Sequence, residues 1–233
     1  MTRIFYFASI LFLMNACHAP TRSTSSLRQQ IQKIVSTKNA VVGVSIVGNN
    51  GKDTISFNGD KHFPMQSVFK FHIALAILSE VDKGKFSLDQ KIEIEKKDLL
   101  PDLYSPLREK YPNGATLSIG EILKYTVSLS DNVGCDVLLR LVGGPTAVED
   151  YFVKNNIKDV SIKVNEEEQQ ANWELQFKNW TTPLAANETL IKFYDIKQIL
   201  LSKTSYDFIW KAMRESQTGY GRLKAQLPKA IVR

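Results

Sequence analysis

The chain has 233 residues, 43% hydrophobic and 23% charged. These are the proportions of an ordinary globular protein long enough for one substantial core. A net charge of +6, carried by scattered lysines and arginines with no basic stripe or recognition motif, argues against nucleic acid as a partner. The three histidines, His18, His62 and His72, lack metal-ligand spacing, which argues against a zinc hydrolase.

Residues 1–17 read as an export signal. Arg3 supplies the positive start, and Ile4 to Leu13 form an apolar stretch too short to span a bilayer as a stable helix. Met14-Asn15-Ala16-Cys17 has the form of a lipoprotein box, with Cys17 the lipidated residue. The competing reading is cleavage near Ala19, against which Pro20 argues. Residues 18–26, with the polar run Thr21 to Ser26, read as a tether, and residues 27–233 as the folded domain.

Leu27, Ile31, Ile34 and Val35 have helical spacing up to Ser36. Valine-rich alternation over Ala40 to Val47, the turn Asn49-Asn50-Gly51 and a second alternating run from Asp53 to Phe57 predict a hairpin. His62-Phe63-Pro64 breaks the pattern, and Ser67 to Lys83 then reads as a buried helix ended by Gly84. A mostly helical middle follows. Ser118 and Glu121 make a capping box, with Leu117 placed to staple onto Ile122, and that helix runs to about Leu129. A second begins near Asn132 and stops at Gly143-Gly144, and Pro145 opens a third. Asn155 to Trp180 shows no sustained periodicity and reads as a long loop carrying Glu166 to Gln170; such loops are usually functional. Helix resumes at Thr182-Pro183 through Tyr194, and again over Ser205 to Met213. Cys17 and Cys135 are the two cysteines. With Cys17 lipidated or removed, Cys135 is a lone core thiol and the domain has no internal disulfide.

The chemistry centres on Ser67 and Lys70, one helical turn apart in Met65-Gln66-Ser67-Val68-Phe69-Lys70. A serine hydroxyl becomes a useful nucleophile when a neighbouring base takes its proton, and an amine at i+3 stands within reach. Acting as that base, the lysine needs desolvation or a neighbouring cation to be neutral. Ser130-Asp131-Asn132 and the acidic run at Glu166 follow downstream. Each piece alone is weak: S-x-x-K is common, the triplet is a natural helix cap, and a lone glutamate is a solvated acid. Together, in this order, they resemble the class A β-lactamases, whose signature is shared with penicillin-binding proteins. Pro64-Met65-Gln66-Ser67, Ser105-Pro106, Pro112-Asn113-Gly114 and Gln176-Phe177-Lys178-Asn179-Trp180 resemble the PER and VEB branch of extended-spectrum enzymes.

The resemblance implies an α+β fold, a helical block packed on an antiparallel sheet. It implies a monomeric periplasmic enzyme that hydrolyses penicillins and cephalosporins without cofactor or metal, touching a membrane only through a lipid on Cys17. Ser67 attacks the lactam carbonyl, with its backbone N–H in the oxyanion hole. Lys70 accepts or relays the proton, Ser130 passes one to the leaving nitrogen, and Asn132 holds the acylamide side chain. Glu166 activates the water that frees the enzyme; Glu167 and Glu168 are the alternatives in the same run. Tyr104 matches the aromatic residue at the pocket rim, against which stands a plain surface tyrosine.

Three departures stand out. Gln170 occupies the place of an asparagine that helps hold the water, and its amide can both donate and accept. The arginine–aspartate pair closing the loop neck in most members is matched by Val164 and Asn179, so the loop has to be held in another way. Finally, Leu227-Pro228-Lys229 to Arg233 resembles the approach to the strand bearing K-T-G, which supplies a cation for the substrate carboxylate and the second oxyanion N–H. The expectation is that the 233-residue chain lacks that strand and the last helix, covers its helices poorly with two strands, and is unstable and nearly inactive. Two other functions compete. A penicillin-binding D,D-peptidase would form the same ester without a base to release it. A lipid-anchored β-lactam-binding module would not require all four of Ser67, Lys70, Ser130 and Glu166, so their presence together argues against it.

Overall fold

The computed structural model describes residues 24–195, 200–219 and 221–226. The export signal, Cys17 and the stretch from Leu227 lie outside the described residues. The helix α1 spans Thr24–Ser36 and belongs to a separate unit, residues 1–41. It begins inside the stretch read as a tether. Serine and threonine suit a first helical turn, and the Gln30 side chain donates to Ser26 Oγ at 3.3 Å. None of its residues is buried.

The second unit, residues 42–233, opens with the hairpin β1 (Val44–Gly48) and β2 (Asp53–Phe57). Val44 pairs with Phe57 and Gly48 with Asp53. The first strand starts later than the alternation suggested: Ala40 lies in a bend, and Val41 to Gly43 precede the ladder that begins at Val44. β3 (Phe63–Pro64) is followed by a 3-10 turn at Gln66–Val68 and then α2 (Phe69–Asp82). The helix expected from Ser67 therefore begins as a tighter turn. It ends at Gly84, where φ is +75°, a conformation free of side-chain strain only in glycine.

The mostly helical middle also contains two short strands that sequence reasoning did not identify. β4 (Lys91–Ile94) and β5 (Ala115–Ser118) pair antiparallel, Ile92 opposite Leu117. Gly114 sits before β5 at φ +94°, where a β-carbon would lie 2.5 Å from the carbonyl oxygen of Ile94, so the turn of Pro112-Asn113-Gly114 requires glycine. Between these strands lies α3 (Pro106–Lys110), capped by Ser105 with proline in its first turn. The next three helices are α4 (Ile119–Ser128), α5 (Asn132–Val142) and α6 (Gly144–Lys154), as expected. The capping box of Ser118 and Glu121 is formed in both directions.

The long loop is structured. It holds β6 (Val160–Ser161), α7 (Glu166–Ala171), a 3-10 helix at Trp173–Lys178 and β7 (Trp180–Thr181). These segments are too short to leave a periodic signal. α8 (Pro183–Tyr194), α9 (Lys203–Arg214) and α10 (Leu223–Gln226) complete the described chain.

The fold is α+β; among the described residues the strands form three small antiparallel sheets, β1-β2, β3-β7-β6 and β4-β5. α2 is apolar through its middle and takes a central position: Phe69, Ile73, Ala74, Leu75, Ala76, Ile77 and Leu78 are each no more than 2% exposed. Around it pack α4, α5, α6 and α9. The two-stranded β1–β2 sheet leaves Ile46 and Val47 exposed, as are Leu190, Ile191 and Trp210.

Leu138 on α5 is fully buried in this core. Leu138→Ala is expected to cost about 2–5 kcal/mol of stability. Ile34→Ala, on an exposed side chain, should change it by less than about 0.5 kcal/mol. Denaturant midpoints of the two variants, compared with the parent chain, check both.

Candidate functional site

Ser67 lies in the 3-10 turn that leads into α2, with its side chain at the surface. At such a start the backbone N–H has no intrahelical partner. Lys70, one turn later, is 2% exposed. Side chains on a helix lean toward its N-terminus, and Lys70 Nζ reaches back to Ser67 Oγ at 3.1 Å. The same ammonium donates to Asn132 Oδ1 at 2.8 Å and is ion-paired with Glu166 Oε1. Four predicted residues, from the 3-10 turn, α2, α5 and α7, thus meet at the Lys70 nitrogen.

Ser130 lines a cavity of about 390 Å³ with Ser67 and Lys70, and Thr126, Met213 and Ser216 form other parts of its wall. No hydrogen bond joins Ser130 to Ser67 or Lys70 among the described residues. Its backbone is left-handed, φ +59°. That turn is secured by Asp131, whose N–H donates to the Tyr125 carbonyl at 3.1 Å. The Asp131 carboxylate is fully buried. It caps α5 at Gly134 N (2.8 Å) and accepts from Ser105 Oγ (2.8 Å) and Leu107 N (2.7 Å). Tyr104 reaches the site through its main chain: its carbonyl accepts from Asn132 N at 3.1 Å, while its side chain is 55% exposed. Gln170 is exposed, one turn after Glu166 on α7.

The three glutamates of the acidic run have separate surroundings. Asn165 and Glu168 form a reciprocal capping box at the start of α7, so Glu168 is occupied by the helix end. Glu167 is exposed. Glu166 is the one that meets Lys70.

Two further residues hold this loop. Asp136, on α5 one turn beyond Asn132, accepts from Glu166 N at 2.8 Å and Glu167 N at 3.0 Å. Burial, more than any other cause, pushes its carboxyl up to about 7 against those two stabilising N–H groups. Asn179 closes the neck in place of an ion pair. Its Oδ1 accepts from Lys163 N (2.8 Å) and Val164 N (3.1 Å), and its Nδ2 donates to the Val164 carbonyl (2.8 Å). Sequence reasoning had flagged Asn179 as the odd residue at the neck. It passed over Asp136, whose i+4 spacing from Asn132 was the available signal.

The remaining buried groups are quiet. Cys135 is a free, fully buried thiol, as expected, and burial pushes its ionisation well up. His72, also buried, is lowered to about 4 by desolvation and packs edge-on against Phe152. Among the described residues no helix is long and apolar enough to cross a membrane.

Residues 26–232 match the model of the beta-lactamase enzyme family. The β-lactamase VEB-1 of Pseudomonas aeruginosa is 55% identical over 209 residues, which cover 90% of this chain and 70% of the relative. The extended-spectrum β-lactamase PER-1, from the same organism, is 38% identical over 227 residues, covering 97% and 73%. The crystal structure of a β-lactamase from Chitinophaga pinensis superposes with a TM-score of 0.83 at 48% identity, covering 87% of this chain and 74% of that one. A lysine tying the helix-start serine to a loop glutamate is therefore met in a chain of matching ancestry: it belongs to the class A serine β-lactamases, in the branch of VEB-1 and PER-1, and its chemistry is hydrolysis of β-lactams.

Proposed function

We propose that the chain opens penicillins and extended-spectrum cephalosporins through an ester on Ser67, released by a water that Glu166 activates. The observation that carries this is the single ammonium shared by Ser67, Asn132 and Glu166. Lys70 first gives a proton to the Glu166 carboxylate with which it is paired, and as the neutral amine it takes the Ser67 proton while Ser67 Oγ bonds to the lactam carbonyl carbon. The C–N bond of the ring breaks as Ser130 delivers a proton to the nitrogen and takes one back from Lys70, and Glu166 returns its proton to Lys70, so that both residues regain their starting charge. Water then adds to the ester carbonyl, giving its proton to Glu166, and the bond to Ser67 Oγ breaks as the serine regains its proton. Asn132 orients the substrate acylamide, Tyr104 edges the pocket, and Gln170 borders the water. On this reading the enzyme is a monomer exported to the periplasm, held at the membrane by lipid on Cys17, and confers resistance to these antibiotics.

Asp136 adds a pH dependence. As a carboxylate it can accept both N–H groups at the start of α7; protonated, it loses acceptor capacity at one oxygen. The folded-state value of about 7 lies above the ordinary 3.8, so between these values the folded chain holds a proton that the unfolded chain has released. Stability from this group is therefore greatest in acid and falls as pH rises toward 7. Over the same range, acid loosens the grip on Glu166 and Glu167.

Two outcomes are expected. Ser67→Ala should lose hydrolysis by at least about 10³-fold and form no ester. Glu166→Ala should accumulate a penicilloyl adduct, seen as an added penicillin mass on the peptide containing Ser67; free turnover in that variant would defeat the assignment of Glu166. For Asp136, denaturant melts of the parent chain and Asp136→Asn should show the parent losing relative stability from about pH 4 to about pH 7 and levelling off above. A difference that stays flat with pH would show that this carboxyl is not raised.

A further inference from the structure

Two of the stretches that mark the branch, Pro64-Met65-Gln66-Ser67 and Gln176-Phe177-Lys178-Asn179-Trp180, touch each other along their length. Pro64 pairs with Trp180 in the β3–β7 ladder. The His62 and Trp180 rings stack with centroids 3.5 Å apart. Met65 N donates to the Asn179 carbonyl at 2.9 Å. Between these main-chain ties, Gln66 Nε2 donates to Gln176 Oε1. Gln176 is 5% exposed, and its own Nε2 donates to the Trp173 carbonyl at 2.9 Å. That second bond fixes which way the Gln176 amide faces, presenting its oxygen to Gln66.

Gln66 immediately precedes Ser67 and is left-handed, φ +47°. A β-carbon disfavours that conformation, and it persists only where neighbours hold it. It also sets where the Ser67 N–H and hydroxyl point, because the peptide between the two residues turns with it. The loop's first half therefore meets Lys70 through Glu166, while its second half meets the residue before Ser67.

We propose that Gln176 is a positioning residue for acylation: by accepting from Gln66 it holds the turn before Ser67 in the conformation that aims the nucleophile and its N–H at the lactam carbonyl. The inference rests on Ser67 being the nucleophile. The position of the penicilloyl adduct in the parent chain tests that reading separately.

The chain is expressed from its full reading frame, and single-turnover acylation by a chromogenic cephalosporin is measured beside deacylation. Gln66→Met and Gln176→Met keep chain length but remove the bond. Each should slow acylation about 3- to 10-fold, the range a single hydrogen bond supplies, and leave deacylation unchanged. The double variant should be no slower than either single, as expected for two ends of one contact. Glycine adopts positive φ without strain, so Gln176→Met added to Gln66→Gly should cause no further loss. Because Gln66 is exposed, its variants report even if changing the buried Gln176 prevents folding. Losses that add, losses that fall on deacylation, unchanged acylation in Gln66→Met, or an undiminished Gln176→Met effect beside Gln66→Gly would each overturn the proposal.

Discussion

The structure depends on one buried ammonium. Lys70 lies on the central helix, almost without solvent, and removing the partner of a charge so placed costs several kcal/mol. Its partners come from the 3-10 turn, α5 and α7. Bringing those segments to α2 is thus a condition of burying the lysine as well as of building the site. The Phe69 ring, with its centroid 5.6 Å from Lys70 Nζ, adds a cation–π contact but does not replace a carboxylate as the partner of a buried charge. Assembly of this side-chain cluster and formation of the core are here the same requirement.

The first turn and a half of α5 organises the rest. Asp131 caps the helix and ties down Ser105 and Leu107, Asn132 meets Lys70, and Asp136 grips the first two N–H groups of α7. The opposite side of this helix buries Val133, Val137 and Leu138. Its polar side can therefore hold three chain segments in fixed relation because its apolar side is immobilised in the core. A carboxylate suits position 136 for a simple reason: it offers two acceptors to two adjacent donors. An amide would leave one N–H facing an N–H. The cost of that choice is the desolvation that lifts its ionisation toward neutrality.

Long, strongly patterned elements were legible in the sequence. The apolar run of α2, the capping box of α4 and the proline that opens α8 all announced themselves through periodicity and end chemistry. So did the Ser67–Lys70 pair and the asparagine of the triplet, since i+3 spacing and a helix start imply where side chains face. Short elements were not legible. Two-residue strands such as β6 and β7 exist only through pairing with distant chain, and four-residue β4 and β5 hide among helices. α7 could have been read from the Asn165–Glu168 capping box, which lay masked in an acidic run. The contacts of Asp136 with Glu166 and of Gln66 with Gln176 span sequence separations of 30 and 110 residues, beyond any local pattern.

The neck of the loop shows why its hold on the turn is firm. A buried ion pair would have to offset the desolvation of two charges. The Asn179 amide makes three hydrogen bonds to backbone groups of Lys163 and Val164 with no charge to desolvate. Its main-chain carbonyl meanwhile accepts from Met65, one residue before Gln66. Side chain and main chain of a single fully buried residue thus join the two ends of the loop to each other and to the approach to Ser67. The loop that carries Glu166 and the turn that carries Ser67 are therefore tied to each other at the neck, through Asn179 and Met65, as well as through Lys70.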